Sequence, residues 1–196
     1  MASADDLAVA LLAAGRSTRF GDADKLTAPL GDRPLIEWAA DAGRAINAAQ
    51  HFLVSGPGFP QHFLPQGYAP VPNPDAAEGM ATSLRIAARH AREIGASALL
   101  ILLGDMPLVT AEHLAVLLAA FARDRGRPVF SRVAGGAPQP PAIFPATLFP
   151  ALEALSGDAG ARSLAQDAAF VEAPETSLID IDTPEDLARC EQLLET

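Results

Sequence analysis

Leu7-Ala8-Val9-Ala10-Leu11-Leu12-Ala13-Ala14-Gly15 is the stretch whose reading decides the fold. Eight apolar residues run in succession, with no alternation of polar and apolar positions, until a glycine ends them. A strand with one wet face would alternate, so an unbroken run suits a strand buried on both faces of a parallel sheet. A similar run spans 98–103, and shorter strand-like runs fall at 51–55, 69–72 and 128–133. Apolar residues at helical spacing lie between several of them, over 34–48 (Leu35, Ile36, Ala39, Ala42, Ile46), 81–94 and 111–124. That alternation predicts an α/β fold, a Rossmann-like three-layer α/β/α sandwich with a mostly parallel sheet. Further on, Pro138, Pro140, Pro141, Pro145 and Pro150 predict irregular covering structure before a short helix near 151–155. Residues 177–182 read as a last strand. Thr183 as N-cap, Pro184 at the first helical position and Asp186 at the third predict a helix from there to Leu194.

The chain of 196 residues suits one domain, and 49% hydrophobic with 19% charged residues is a globular composition. A formal net charge of −10 opposes binding to nucleic acid, whose affinity comes from phosphates meeting clustered cations. Any phosphate-bearing ligand then needs a local positive cluster, and Arg16, Arg19 and Lys25 supply one. Cys190 is the single cysteine, which permits no internal disulfide and fits a reducing cytoplasm. Asp5 and Asp6 before the apolar run are unlike the basic head of a signal peptide. No stretch approaches the roughly 20 apolar residues of a membrane span, so a cytoplasmic location without a membrane partner is expected.

In parallel α/β sheets ligands sit at the carboxyl ends of the strands, which directs attention to the loop Ala14-Gly15-Arg16-Ser17-Thr18-Arg19-Phe20-Gly21 and on to Lys25. Gly15 and Gly21 permit close backbone approach, Ser17 and Thr18 offer hydroxyls, and Arg19 and Lys25 offer charge. Lys25 lies four residues beyond Gly21, so the spacing is not that of an ATPase P-loop, nor is it Gly-x-Gly-x-x-Gly. Of 14 basic residues only Lys25 is a lysine, which suggests a position that requires a compact point charge rather than a planar fork.

A second signal is acidic. Gly104-Asp105-Met106-Pro107 follows the apolar run 98–103, and a carboxylate there calls for a cationic partner. Mg²⁺ takes one or two carboxylates with phosphate oxygens and water, so a second acid is expected nearby. Asp182 at the end of the last expected strand is the candidate, with Asp180 two residues earlier as the alternative. No His-x3-His or similar ligand spacing links His51, His62, His90 and His113, and none is assigned to a metal.

Leu12-Ala13-Ala14-Gly15 with Ser17, Arg19, Phe20, Gly21 and Lys25 resembles the signature of the sugar-nucleotide-type NTP transferases, specifically the MobA/MocA-like family. Gly-Asp-Met-Pro and Asp-Thr-Pro-Glu-Asp resemble its metal motifs. The resemblance implies a nucleotide-diphospho-sugar transferase fold, with a nucleotide-binding half over about 1–110 and an acceptor-binding half over about 111–196. It implies that Ala13, Ala14, Gly15, Arg16 and Ser17 hold the nucleotide, that Gly79 and Ser83 add base recognition, and that Lys25 and Arg19 embrace the triphosphate. Asp105 and Asp182 would hold Mg²⁺. Ser156-Gly157-Asp158-Ala159-Gly160-Ala161-Arg162 resembles a further stretch of the MocA branch and places Arg162 on the acceptor phosphate. Ala137-Pro138-Gln139-Pro140-Pro141 departs from a Pro-Gly-His-Pro-like segment of many relatives, which puts the shape of the acceptor pocket in question.

The implied reaction is attack of a substrate phosphate on the α-phosphorus of an NTP, with pyrophosphate leaving. Leu-Ala-Ala-Gly is associated with CTP and Leu-Ala-Gly-Gly with GTP, so the resemblance implies CTP as donor and molybdopterin as acceptor. A molybdoenzyme or its chaperone stands open as a further partner. Rival readings are the same chemistry with GTP or with a sugar or alcohol phosphate, a non-catalytic accessory protein that inserts the cofactor, and an NAD-dependent oxidoreductase. The last requires an acid after the second strand, where Ser55-Gly56-Pro57-Gly58 stands instead.

Overall fold

The computed structural model describes residues 6–15, 20, 24–157 and 160–194. Leu7–Ala13 forms β1, with every residue buried. On either side of β1 lie β4 (Gln50–Ser55) and β6 (Ala98–Leu103), both parallel to it, and Leu11 stands level with Leu53 on one and Leu102 on the other. Both faces of β1 are covered. Leu7, Val9, Leu11 and Ala13 join a core with α1 (Leu35–Arg44) and α3 (Ala111–Arg123), while Ala8, Ala10 and Leu12 join a second core with α2 (Met80–Glu93) and α4 (Phe149–Glu153). Small residues meet on this second face, where Ala8 and Ala10 cluster with Ala87, Ala88 and Ala91 of α2. A strand placed between two helical layers has no wet side, which is why its sequence does not alternate.

The main sheet has seven strands in the order β5-β4-β1-β6-β8-β7-β9, with β5 at Ala69–Pro72, β7 at Val129–Arg132, β8 at Gln139–Pro145 and β9 at Ala169–Glu172. Only β8 runs against its neighbours. A separate hairpin joins β2 (Pro29–Leu30) to β3 (Arg33–Pro34), and Gly31 takes the positive φ of its turn. The last helix is α5 (Pro184–Leu194).

The α/β/α sandwich is thus as expected, and three local expectations are corrected. The Pro-rich segment before α4 is not irregular cover but β8. Its Pro140 and Pro141 fall where the β7 ladder shifts register between Phe130 and Ser131, so the missing N–H groups interrupt no regular pairing. Ala169–Glu172 is an additional edge strand. Residues 177–182 are not a strand: Glu175–Leu178 form a 3₁₀ turn and the chain continues extended without a ladder partner.

Gly43 sets how closely α1 approaches the sheet. A methyl group there would run into the Tyr68 hydroxyl and lie 2.7 Å from Leu102 Cδ1. That hydroxyl donates 3.0 Å to the Ala40 carbonyl and is buried with it, so it has no room to retreat. Gly43→Ala is expected to destabilise the fold by about 1–3 kcal/mol through overpacking, outweighing the gain in helix propensity, and thermal unfolding measures it.

Candidate active site

The chain passes from β1 to β4 and β5 on one side and then returns to β6 on the other, so a crevice opens where the connections diverge, at the carboxyl ends of β1 and β6. Backbone bonds extend both ladders into this region: the Gly104 amide donates 3.0 Å to the Leu12 carbonyl and the Asn73 amide 2.8 Å to the Ser55 carbonyl. Gly104 is packed tightly, since an added Cβ would lie 3.4 Å from Ile36, Leu26 and the Leu12 carbonyl. The result is that Asp105 emerges beside the end of β1.

A cleft of about 380 Å³ lies there, and Ala13, Ala14, Gly15, Lys25, Gly79, Ser83 and Asp105 all line it. The structure thus brings together most of the residues expected to hold the nucleotide. Arg16, Ser17, Thr18, Arg19 and Gly21 lie outside the described residues. Ala76, Ala77 and Met80 also line the cleft and were not anticipated; Ala76 and Ala77 occupy the loop after β5, at the same carboxyl edge of the sheet, which is the signal that would have found them.

On its far wall the cleft meets the N-terminus of α2. Gly79 is the cap, at φ 113, a conformation open to glycine and costly for other residues. The cap is therefore not Thr82 or Ser83, as helix-capping preferences alone would suggest; both sit within the first turn and are buried. Asn73, fully buried, donates 2.9 Å to each of their hydroxyls and so ties the end of β5 to α2. Its amide is spent on positioning the wall rather than exposed to a ligand. A helix N-terminus at the cleft contributes partial positive charge.

The floor is ionic. The Lys25 ammonium donates 2.7 Å to Asp105 Oδ2, 2.9 Å to Asp182 Oδ1 and 2.8 Å to the Ile181 carbonyl. Three acceptors match its three donors. Lys25 is only 5% exposed, whereas the Asp182 side chain is 47% exposed. Two backbone features fix these partners. Asp24 accepts from the Leu26 amide at 3.1 Å and holds the 3₁₀ turn that carries Lys25. The Ile181 amide donates 2.9 Å to the Asp105 carbonyl and brings the C-terminal segment alongside β6. The Asp182 segment then enters α5 through the expected Thr183 and Asp186 pair, in which the Asp186 amide donates 3.1 Å to the Thr183 hydroxyl and Asp186 Oδ2 accepts from the Thr183 amide at 2.9 Å. Asp180 is exposed and acts on Asp105 only through its field.

Burial by itself pulls the Lys25 ammonium down, but the attraction and hydrogen bonds of Asp105 and then Asp182 outweigh it and hold the group above its ordinary pKa. For Asp105, burial lifts the carboxyl above the usual range; Lys25 opposes the lift and Asp180 adds to it. Two carboxylates facing one ammonium are the donor set a hard divalent ion uses. Among the described residues no group of three or more His, Cys, Asp or Glu side chains gathers around a common point. His51, His90 and His113 instead bond to the Gly43 carbonyl, Gln50 and Ser131.

Arg162 does not line this cleft. It lines a neighbouring cavity of about 480 Å³ together with Gln139, Pro140, Phe130 and Phe144, and donates 3.0 Å to the Pro138 carbonyl. Leu12, Met80 and Leu103 form the boundary that the two cavities share. Gln139 and Pro140 belong to the segment that departs from the pattern of relatives, so that departure falls on a cavity wall.

A crevice at the strand ends with a helix N-terminus on its wall and an ion-paired floor is the kind of site that an α/β nucleotide-binding fold presents. The MobA-like NTP transferase domain matches residues 9–173, and the chain belongs to that family of nucleotidyltransferases. The purine catabolism protein PucB of Bacillus subtilis (strain 168) is 31% identical over 191 residues, covering 89% of this chain and 91% of PucB. The molybdenum cofactor guanylyltransferase of Cereibacter sphaeroides is 29% identical, covering 94% and 95%. Among solved structures, the homologue of Mycobacterium tuberculosis Rv0371c from Mycobacterium sp. strain JC1 superposes with a TM-score of 0.83 at 26% identity, covering 97% of each chain. Rv0371c itself was solved in complex with manganese, and superposes with a TM-score of 0.74 at 23% identity, covering 95% of this chain and 98% of that one.

Removing the floor's cation tests its structural weight. Lys25→Met leaves Asp105 and Asp182 facing each other without it, and is expected to cost about 1–3 kcal/mol, moderated by the exposure of Asp182. Urea unfolding at low ionic strength measures the loss.

Proposed function

We propose that this chain moves a CMP moiety from CTP to the phosphate of an acceptor, molybdopterin, with release of pyrophosphate. The observation that carries the reading is the Lys25 ammonium held between Asp105 and Asp182 on the floor of the strand-end cleft. Asp105 and Asp182 would hold Mg²⁺, an ion that takes one or two carboxylates and completes its shell with phosphate oxygens and water. The relative solved with manganese supports a divalent ion here. When bound, the ion supplies neutralisation of phosphate charge.

The chain's own residues do the rest. Ala13, Ala14 and Gly15 present backbone to base and ribose, and Gly79 and Ser83 border the base from the α2 side. Lys25 and Arg19, with Arg16 and Ser17 beside them in sequence, neutralise the triphosphate and the departing pyrophosphate. Arg162 directs the acceptor phosphate from the adjoining cavity. The acceptor oxygen forms a bond to the α-phosphorus as the bond to the β-phosphate oxygen breaks, and an ionised phosphate needs no protein base. Placement and charge compensation therefore carry the rate.

CTP is favoured by the resemblance of Leu12-Ala13-Ala14-Gly15 to the Leu-Ala-Ala-Gly pattern of cytidylyl transfer, and Ala14 lines the cleft wall with Ala76 and Ala77. The naming of the Cereibacter relative favours a second reading, guanylyl transfer. Pyrophosphate release with each of CTP, GTP, ATP and UTP in the presence of molybdopterin decides between them. Release from CTP alone is expected. Release from GTP reverses the donor assignment, and nucleotide binding without release points to an accessory protein. Asp105→Asn is expected to lower release roughly 100-fold or more, and retained activity removes Asp105 from the site. Ala14→Gly is expected to shift the CTP/GTP ratio toward GTP.

A further inference from the structure

We propose that Lys25 is an internal counter-cation, which holds Asp105 and Asp182 together before a divalent ion arrives, competes with that ion for both carboxylates, and leaves them for a bound triphosphate. The inference rests on the metal reading above and adds an order of events to it. Its basis is the occupancy of the acids. Asp105 Oδ2 and Asp182 Oδ1 each lie within 3 Å of the same nitrogen, so a divalent ion using those oxygens meets a unit positive charge already in place. Like charges at that separation repel, and the ion must displace the ammonium to bind tightly.

Displacement of Lys25 is difficult without a replacement partner. The side chain is nearly enclosed and all three of its donors are engaged, so withdrawal strands a buried ammonium. Triphosphate oxygens in the same cleft are charged acceptors and resolve that penalty. Only the side chain has to move: Asp24 fixes the turn at Lys25, while the four-carbon stem is flexible and lines the cleft. Metal affinity in the absence of nucleotide is therefore weak by construction, and triphosphate binding releases it.

Lys25 is the sole lysine, so protein labelled with ¹⁵N at the lysine side chain gives one Nζ signal from the site. Titration of the nucleotide-free protein with Mg²⁺ is expected to move that signal along the same curve that calorimetry gives for binding. Inorganic tripolyphosphate without metal is expected to move it as well. In calorimetry, Lys25→Met is expected to bind Mg²⁺ on the order of tenfold more tightly or better, the scale on which one adjacent charge alters a carboxylate's affinity for a cation. Lys25→Arg, which keeps the charge, is expected to stay near the wild type, and Asp105→Asn/Lys25→Met to lose the gain. Equal Mg²⁺ affinity in wild type and Lys25→Met, or Mg²⁺ saturation with the Nζ signal unmoved, overturns the counter-cation. Absence of Mg²⁺ binding in Lys25→Met overturns the metal reading along with it. If Lys25→Met does not fold, the wild-type Nζ titration decides alone.

Discussion

A buried ammonium with three acceptors organises the functional end of this molecule. Lys25 comes from the loop after β1, Asp105 from the end of β6, and Ile181 and Asp182 from a segment 156 and 157 residues beyond Lys25. The Lys25 ammonium is not tolerable there alone, because a charge removed from water without a partner costs far more than a packing defect. The constraint matters most for α5. Cys190 is its only buried residue, with Leu187 and Leu194 packed partly buried against the same core, so apolar contacts supply only part of the docking of this helix. Its placement depends also on the Ile181–Asp105 backbone bond, the Lys25 ion pairs and the Thr183–Asp186 cap.

Elements buried on both sides were legible in the sequence, and elements at the margins were not. β1 and β6 are covered by helices on each face, which forces an unbroken apolar run that no surface element imitates. Asp105 was legible for the converse reason, as a charge placed where such a run ends. β8 escaped notice because Pro140 and Pro141 coincide with a register shift that only the partner strand reveals. β9 is a four-residue edge strand with one buried side chain, Val171, too little to impose a pattern. Residues 177–182 misled in the opposite direction. Ile179, Asp180, Ile181 and Asp182 alternate apolar and acidic as in a strand. The backbone there is satisfied differently, with the Ile181 carbonyl bound to an ammonium and its amide to Asp105.

The lone lysine illustrates how residue chemistry can be read correctly in kind while its partner stays hidden. Three acceptors converging on one nitrogen from three segments suit a compact ammonium, whereas a planar guanidinium directs its donors along a fixed fork. The sequence pointed to a point charge in a phosphate loop. The structure places that charge on two carboxylates and a carbonyl, because long-range pairing brings the acids to it and local sequence carries no trace of that pairing.

This pairing also bears on how a chain with a net charge of −10 accommodates a polyanion. Among the described residues lining the cleft, Lys25 is the cation and Asp105 an anion, with Asp182 adding a second negative charge at the ammonium. The acids of this floor suit a divalent ion, and its ammonium suits phosphate oxygens. Under the proposed function, Asp105 and Asp182 would hold the ion, Lys25 would meet the phosphates, and the N-terminus of α2 adds its partial charge from the opposite wall. On that reading the same few side chains would serve a metal ion and its nucleotide together, which is what a phosphoryl-transfer site without a protein nucleophile requires.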